Sequence, residues 1–395
     1  MGTENKNNKT LRVVTSAGSY TLIKGQLRFL REHGYEVIGI SGSPIDRSEV
    51  AAKSEGIRTI VLPDLVRPIS ISHDIKALLE LIRVMRKERP DIVHANTPKG
   101  SLLGMMAAWW CRVPHRIYTV TGLRFETATG IFRWLLKTME RITCACATKV
   151  IPEGEGVKQT LIREQITKKP LQKIHNGNIN GIDLEYFSRT PEILATAQEL
   201  RAQIGGDFIF VFVGRIVRDK GMIELVDAFE RLNQEHPSSR LLLVGSPEPE
   251  LDPLPEPTSK KLESNPNIYQ AGWQTDVRPW LVASDAFAFG SYREGFPNVV
   301  LQAGAMGLPS VVTDINGCNE IIIEGENGYI VPKQDSEALY QGMKKLYEDR
   351  AKTKEISEVA REMIANRYKQ EDVWQATLEM YQSLKKESTG ASANK

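Results

Sequence analysis

Short apolar segments rich in β-branched residues alternate with longer amphipathic segments along the whole chain. In the first half the apolar segments are LRVVTSAG, YEVIGIS, RTIVLP, DIVHAN and HRIYTVTG, and each ends at Gly, Ser, Pro or Asn. The segments between them carry apolar residues at helical spacing. Strands that alternate with helices predict a parallel sheet that is covered on both faces.

The second half of the chain repeats this pattern. Its predicted strands are FIFVFVG, SRLLLVG, NIYQAG, AFAFG, PSVVT and GYIVP, and helices such as GMIELVDAFERLNQEH lie between them. We therefore predict an α/β protein of two Rossmann-like domains, residues 1–185 and 186–369. The segment IHNGNINGIDLEYF, rich in Gly and Asn, is typical of an exposed hinge and supplies the boundary.

Two polar segments are expected to lie outside the packed elements. Residues 246–261, SPEPELDPLPEPTSKK, are rich in proline and acidic residues, which favours a solvated loop over a packed helix or a central strand. Residues 388–395 form a polar tail that we expect to be disordered.

Composition and charge narrow the class of protein. The 395 residues include 51 Lys and Arg against 49 Asp and Glu, so the net charge of +2 gives no bulk attraction to nucleic acid. The four cysteines show neither zinc-ligand spacing nor a disulfide framework, and the segment MGTENKNNKT lacks the apolar core of a signal peptide. No uncharged run approaches the length that spans a bilayer. We expect a cytoplasmic protein with reduced thiols, without a transmembrane segment and without a nucleic-acid partner.

The first candidate site lies where a strand of the second half ends. Ligands of open parallel α/β sheets bind beyond the carboxyl ends of the strands. Arg215 follows the strand FIFVFVG directly after Gly214, and Lys220 precedes the next helix. Two cations beside one loop predict an anion site, although solvated surface charges would give the same pattern. No GxGxxG follows the first strand of the chain, so the dinucleotide fingerprint is absent.

The segment SYREGFPNVV is a second candidate of the same kind. Pro297 suits the first position of a helix, whose N–H groups near Asn298 and Val299 favour a phosphate. Glu294 either stabilises the helix dipole or accepts hydrogen bonds from ligand hydroxyls. Gln302 lies one turn further along the same face. Cations, phosphate-binding amides and hydroxyl-binding side chains together predict a nucleotide-sugar site.

These motifs resemble the retaining glycosyltransferases of family 4, whose GT-B fold has two Rossmann-like domains facing across a cleft. The family's donor element has two glutamates separated by seven residues, and EGFPNVVLQAGAMGLPSVVTDINGCNEII is similar to it, with Gln302 as the second. The resemblance implies that Glu294 contacts sugar hydroxyls and that Gln302 binds the ribose. Arg215 and Lys220 resemble the family's cation pair, which neutralises the leaving diphosphate. The residues implied to hold phosphate or to flank these groups are Gly214, Gly295, Phe296, Pro297, Asn298 and Val299.

The first half resembles a narrower subgroup. The segments VHANTPKGSLLG and YTVTGLRF are similar to enzymes that add sugars to undecaprenyl-diphosphate-linked acceptors in capsule and O-antigen synthesis. Gly18 and Ser19 correspond to a glycine-rich donor loop, and Thr121 with Gly122 stands where relatives carry His-Gly beside the transferred sugar. His94, at the end of its strand, either faces the ligand or is a structural residue.

The reaction implied by this resemblance moves a sugar, with retained anomeric configuration, from a nucleoside diphosphate to a hydroxyl of a lipid-linked saccharide. The expected donor is a UDP-linked hexose or N-acetylhexosamine, and the predicted catalytic residues are Arg215, Lys220 and Glu294. No metal or other cofactor is expected, because the cations and the helix N-terminus would stabilise the diphosphate. A final helix at about 370–387 would cross back to the first domain.

Two alternatives stay open, since Gln302 and Thr121 replace familiar side chains. One is a non-catalytic nucleotide-sugar-binding paralogue, and the other is a GT-B nucleotide-sugar 2-epimerase.

A basic and aromatic face near residues 109–141 has two interpretations. The segment GIFRWLLKTMERITCACA predicts an amphipathic helix with a cation every four residues. This face is either an ordinary solvated surface or a surface that docks on the inner leaflet of the membrane, where a lipid-linked acceptor would lie. Its residues are Arg133, Lys137, Arg141, Trp109, Trp110 and Phe125.

Overall fold

The chain forms two compact units. The computed structural model describes residues 8–250 and 252–393, with side chains described as far as Leu384. Unit 1 contains the described residues up to Gly181 together with those from Glu371 onward, and unit 2 is Ile182–Gln370. The first stretch of unit 1 ends inside the predicted hinge segment. Each unit is built on one six-stranded sheet in which all neighbouring strands are parallel.

Unit 1 has helices on both faces of its sheet, whose strand order is β3-β2-β1-β4-β5-β6. Leu11 and Val13 belong to one hydrophobic cluster, and Val14 and Ile117 belong to another. Alternate residues of a strand point to opposite faces, so each face has its own core. The strands are β1 Asn8–Ser16, β2 Tyr35–Gly42, β3 Arg58–Val61, β4 Ile92–Ala95, β5 His115–Val120 and β6 Lys149–Pro152. The helices are α1 Gln26–Glu32, α2 Ile45–Glu55, α3 Ile71–Glu88, α4 Pro98–Trp110, α5 Gly130–Cys146 and α6 Glu155–Arg163.

Unit 2 has the strand order β12-β11-β10-β7-β8-β9. All six residues of β7 are buried, which explains its unbroken apolar sequence FIFVFV. The strands are β7 Phe208–Val213, β8 Ser239–Val244, β9 Ile268–Gly272, β10 Ala286–Phe289, β11 Ser310–Thr313 and β12 Gly328–Val331. The helices are α7 Pro191–Ile204, α8 Met222–Glu235, α9 Glu256–Ser264, α10 Arg278–Val282, α11 Asn298–Ala305, α12 Cys318–Ile321, α13 Ser336–Glu348 and α14 Arg350–Tyr368.

The last helix, α15 Gln370–Ala393, belongs mainly to unit 1, as expected. Leu378, Tyr381 and Leu384 on this helix pack into the second hydrophobic cluster of unit 1. The helix continues through Ala393, so the backbone of 388–393 does not have the disordered form that the sequence predicted. A helix already anchored by packing gains one hydrogen bond for each further residue that it orders. Residues 394–395 lie outside the described residues.

Two local predictions need correction. β6 was missed, because its four residues KVIP follow the long helix α5 closely and are too few to show a strand period. The segment 246–261 was expected to contain no packed helix, yet α9 begins within it. Pro255 is the N-cap of α9 and Pro257 lies in its first turn, where proline removes no intrahelical hydrogen bond. We use the name acidic loop for residues 246–250 and 252–255.

Candidate active site

The strand order of unit 2 reverses between β7 and β10, which are neighbours in the sheet. The loops that follow two such strands diverge and leave a crevice at the carboxyl edge of the sheet. Residues 214–221 form the loop after β7, and residues 290–297 form the loop after β10. Arg215, Lys220 and Glu294 follow these strands, as the sequence predicted, and the strand order places them at the switch point of this sheet.

Two glycines allow these loops to touch. Gly221 has a φ of 70° and is the N-cap of α8. A Cβ at Gly221 would lie 1.9 Å from the carbonyl oxygen of Gly290, a distance that no side chain tolerates. Tyr292 also donates its backbone N–H to the carbonyl of Asp219 at 3.0 Å. The close contact between the loops brings Lys220 beside Glu294.

Glu294 is held on one of its two oxygens. Lys220 Nζ forms an ion pair with Glu294 Oε1, and Ser291 Oγ donates to the same oxygen at 3.0 Å. The side chains of Lys220 and Glu294 are each 17% exposed. Among the described residues, Glu294 Oε2 has no hydrogen-bond partner, so it can accept a bond from a ligand hydroxyl.

Arg215 is held by the acidic loop, which the sequence analysis did not assign to the site. Arg215 Nη1 donates to Glu248 Oε2 at 2.8 Å. Asp252 Oδ2 accepts the backbone N–H of Asp219 at 2.6 Å, and so it also contacts the loop after β7. A signal for this arrangement was present, because Glu248 follows β8 as Arg215 follows β7 and the two strands are neighbours.

The N-terminus of α11 lies directly after the loop that carries Glu294. Pro297 is the N-cap, with a ψ of 109°, and not the first helical residue as predicted. That extended ψ delays the start of the helix to Asn298. Gly295 and Phe296 are buried, whereas Val299 and Gln302 are half-buried. The first N–H groups of a helix have no intrahelical acceptor, so this end favours an anion.

The predicted residues of unit 1 lie at the carboxyl edge of its own sheet. Gly18 and Ser19 are half-buried in a 3-10 turn, Ala17–Ile23, directly after β1. Thr121 and Gly122 follow β5, and Thr121 Oγ1 donates to the carbonyl of Asn96 at 2.5 Å. Gly122 has a φ of 117°, which a residue with a side chain rarely adopts.

His94 is an interior residue of unit 1. Its Nδ1 lies 2.5 Å from Arg12 Nη1 and 2.8 Å from the hydroxyl of Tyr381, and its Nε2 lies 2.8 Å from Thr119 Oγ1. Burial and the charge of Arg12 hold the pKa of His94 well below its ordinary value, so the ring is neutral. Both ring nitrogens have partners, and the structural interpretation of His94 therefore fits the structure.

The predicted basic face of α5 is only partly neutralised. Arg133 and Lys137 both pair with Glu164, at 2.9 and 2.7 Å, and Phe125 is buried, contrary to the expectation that it belongs to an exposed face. The exposed large apolar side chains of this region are Trp109, Trp110, Ile131, Phe132, Trp134 and Leu135. The surface is thus apolar and aromatic as well as basic. None of the helices in the described part of the chain is long and apolar enough to cross a membrane.

A cluster of side chains with metal-ligand chemistry lies elsewhere in unit 2. Glu235, His236 and Glu348 come together at the C-terminal ends of α8 and α13. Glu235 is already paired with Lys344 at 2.6 Å. Because α8 begins at the carboxyl edge of the sheet, its C-terminus lies at the opposite edge, away from Arg215.

Comparison with known proteins shows which family the chain belongs to. Residues 207–349 match the family described as Glycosyl transferases group 1, and residues 18–185 match Glycosyltransferase Family 4. The chain is 32% identical over 386 residues to the capsular polysaccharide biosynthesis glycosyltransferase CapM of Staphylococcus aureus, an alignment that covers 98% of this chain and 100% of CapM. The chain belongs to this glycosyltransferase family.

Two further comparisons support this assignment. The glycosyltransferase is 29% identical over 304 residues to the Escherichia coli UDP-Gal:alpha-D-GlcNAc-diphosphoundecaprenol alpha-1,3-galactosyltransferase, with 75% of this chain and 76% of the relative covered. The crystal structure of Anabaena Alr3699/HepE in complex with UDP matches with a TM-score of 0.75 and 19% identity, covering 95% and 100% of the two chains. The GT-B fold, two Rossmann-like units, is thereby confirmed.

Proposed function

We propose that this glycosyltransferase transfers a sugar, with retained anomeric configuration, from a UDP-sugar to a hydroxyl of a saccharide linked to undecaprenyl diphosphate. The observation that carries the proposal is the convergence of Arg215, the Lys220–Glu294 pair and the N-terminus of α11 at one switch point. These groups match a diphosphate with a sugar beside it. The acceptor class is supported by the E. coli relative, whose name specifies GlcNAc-diphosphoundecaprenol.

In the proposed mechanism the site stabilises the leaving group. Negative charge grows on the diphosphate as the glycosidic bond breaks, so Arg215, Lys220 and the amides of α11 stabilise the transition state more than the ground state. Loss of one such contact costs about 2.7–4 kcal/mol, a factor of about 10²–10³ in rate. Glu294 accepts a hydrogen bond from a hydroxyl of the transferred sugar, and Gln302 accepts one from a hydroxyl of the ribose. The reaction we propose uses no divalent metal, because side-chain cations supply the positive charge.

Binding of nucleoside diphosphates tests the donor site. We would measure thermal stability with UDP, GDP, CDP and dTDP, each with and without EDTA, in the wild type and in Arg215→Ala. A ligand at about 100 times its Kd adds about 2.7 kcal/mol of stability. Arg231→Ala is the matched control, because Arg231 is a similarly exposed, ion-paired arginine of the same unit.

The expected result is stabilisation by UDP that persists in EDTA, is lost in Arg215→Ala and is kept in Arg231→Ala. Stabilisation by none of the four diphosphates would refute the proposed function. Binding of UDP without sugar transfer to any lipid-linked acceptor would favour the non-catalytic paralogue, which the neutral side chain of Gln302 keeps open.

We also propose that unit 1 docks on the membrane surface through the exposed apolar side chains at the end of α4 and on α5. Trp109 and Trp134 are 56% and 64% exposed, and aromatic side chains favour the headgroup region. Flotation with liposomes should enrich the wild type and should enrich a Trp109→Ser, Trp134→Ser variant less. Because the single carboxylate of Glu164 offsets only one of the three cations of α5, we expect enrichment to increase when the liposomes contain anionic lipid. Absence of enrichment would refute the docking.

A further inference from the structure

Unit 1 contains a pocket between α4 and α5 that is separate from the cations and helix amides of unit 2. The pocket holds about 540 Å³ of empty space, its open mouth included. Leu102 on α4 forms part of its walls, together with Phe125, Leu136 and Met139. Gly122 lines the pocket as well, so the pocket opens at the carboxyl end of β5. It therefore reaches the edge of the sheet that carries Thr121.

One carboxyl group lies among these apolar walls. Glu140 on α5 lines the pocket, and its Oε1 accepts a hydrogen bond from the hydroxyl of Tyr118 at 2.6 Å. Burial raises the pKa of Glu140 to about 7. Among the described residues, Glu140 Oε2 has no hydrogen-bond partner. The pocket thus offers one hydrogen-bond acceptor inside an apolar enclosure.

The mouth of the pocket carries positive charge. Lys99 lines the pocket but is neutralised by Asp74 at 2.6 Å. Arg67 also lines it and is exposed, and no carboxylate among the described residues pairs with it. A ligand suited to this arrangement has a small apolar group and an N–H donor on one side and an anion on the other.

We propose that this pocket binds the acetamido group of a 2-acetamido sugar in the acceptor, with Glu140 Oε2 accepting its N–H, its methyl group against Leu102, and Arg67 directed at the diphosphate. In such a sugar 1-diphosphate the ring carbon that carries the acetamido group is bonded to the anomeric carbon, which carries the diphosphate, so the two groups must be recognised side by side. A hydroxyl in place of the acetamido group would satisfy Glu140 but would leave the apolar walls unfilled. The inference rests on the proposed function and specifies its acceptor.

Equilibrium binding of two acceptor analogues tests the inference without any need for a donor. The probes are farnesyl diphosphate esters of N-acetylglucosamine and of glucose. We expect the wild type to bind the N-acetylglucosamine ester about tenfold to a hundredfold more tightly, the range for one small apolar group, because a hydroxyl would satisfy Glu140 equally. Equal affinity for the two esters would overturn the inference, whereas the nucleotide-binding result above would stand on its own.

Two variants locate the discrimination. Leu102→Trp fills the pocket, and Met106→Trp, one turn further along α4 and outside the pocket, is the matched control because both residues are half-buried. Leu102→Trp should lose the preference for the N-acetylglucosamine ester, and Met106→Trp should keep it. Retention of the preference in Leu102→Trp would contradict the assignment.

Glu140→Gln adds a readout that does not depend on filling the pocket. Affinity of the wild type for the N-acetylglucosamine ester should rise between about pH 6 and about pH 8, because the ionised carboxylate accepts an N–H more strongly. The same profile should be flat in Glu140→Gln. Burial raises the pKa values of the two neighbouring acids Tyr118 and Cys144. The titratable and charged groups around Glu140 are Tyr118, Cys144, Lys99, Arg67 and Arg124. A pH-independent wild type, or a Glu140→Gln variant with the wild-type slope, would overturn the role of Glu140.

Discussion

Removing the negative charge of Glu248 should strengthen the binding of a nucleoside diphosphate. Arg215 Nη1 donates to Glu248 Oε2 at 2.8 Å, so a diphosphate that uses this guanidinium has to compete with a carboxylate of the chain itself. Glu248→Gln keeps the shape of the side chain and removes its charge. The acidic loop then no longer supplies a counter-ion for Arg215.

The exposure of the pair sets the size of this effect. The side chains of Arg215 and Glu248 are 47% and 37% exposed, so water and salt screen their attraction. Exposed ion pairs contribute about 0.2–1 kcal/mol. The affinity for UDP should therefore rise by at most about fivefold in Glu248→Gln, since about 1.4 kcal/mol corresponds to a factor of ten.

Calorimetric titration with UDP measures the change. Glu250→Gln is the matched control, because Glu250 is an exposed acid of the same loop and no contact with Arg215 is seen for it among the described residues. The gain in Glu248→Gln should be larger at about 0.1 M salt than at about 1 M salt. Weaker binding in Glu248→Gln would refute the reasoning and show that Glu248 orients Arg215 for the ligand. An equal gain in Glu250→Gln would show that the net charge of the loop matters and the contact does not.

Three further predictions concern stability. Gly221→Ala should lower the free energy of unfolding by more than Gly325→Ala does. Both glycines have a positive φ, a conformation that costs alanine about 1–2 kcal/mol, but only at Gly221 would the added Cβ meet backbone atoms. Equal losses in chemical denaturation would contradict the loop contact. Tyr381→Phe should lower the free energy of unfolding by about 1–3 kcal/mol, because it removes a hydrogen-bond partner of the buried His94. Tyr269→Phe removes only a surface hydrogen bond from Gln203 and should lower it less. Folding raises the pKa of Glu140 to about 7, so its protonated carboxyl contributes to stability below the unfolded pKa, and this contribution to the free energy of unfolding is lost as the pH rises through 7. The wild type should therefore lose up to about 3 kcal/mol relative to Glu140→Gln between about pH 4 and about pH 8, and parallel pH profiles of unfolding would exclude this.

The fold was predictable because buried strands appear in the sequence as short apolar segments rich in β-branched residues. All six predicted strands of unit 2 are present, and only β6 of unit 1 was missed. The positions of Arg215, Lys220 and Glu294 were predictable for a related reason, since each follows a recognisable strand and the carboxyl ends of parallel strands lie at one edge of the sheet. Their places at the switch point follow from strand order.

The partners of these residues could not be predicted in the same way. Glu248 follows β8, the neighbour of β7, but it lies in a loop without any period, so its contact with Arg215 depends on how that loop folds back. His94 meets Tyr381, which lies 287 residues further along the chain. Glu140 was part of an amphipathic helix pattern, and only the packing of α4 beside α5 shows that it faces a pocket. Side-chain neighbours at large sequence separation are set by tertiary packing.

In the function we propose, the two units use one architecture for two kinds of recognition. Both sheets reverse their strand order between the first strand and the fourth, so both offer a ligand edge at the same topological position. In unit 2 this edge carries cations and helix amides, which suit a diphosphate that gains charge during the reaction. In unit 1 the charged residue Arg12 is buried in the sheet beneath α15, and the edge carries Thr121, Gly122 and an apolar pocket. An acceptor gains far less charge than the leaving group, so it can be recognised by shape and by one or two hydrogen bonds. The loops, and not the shared sheet, therefore decide which substrate each unit binds.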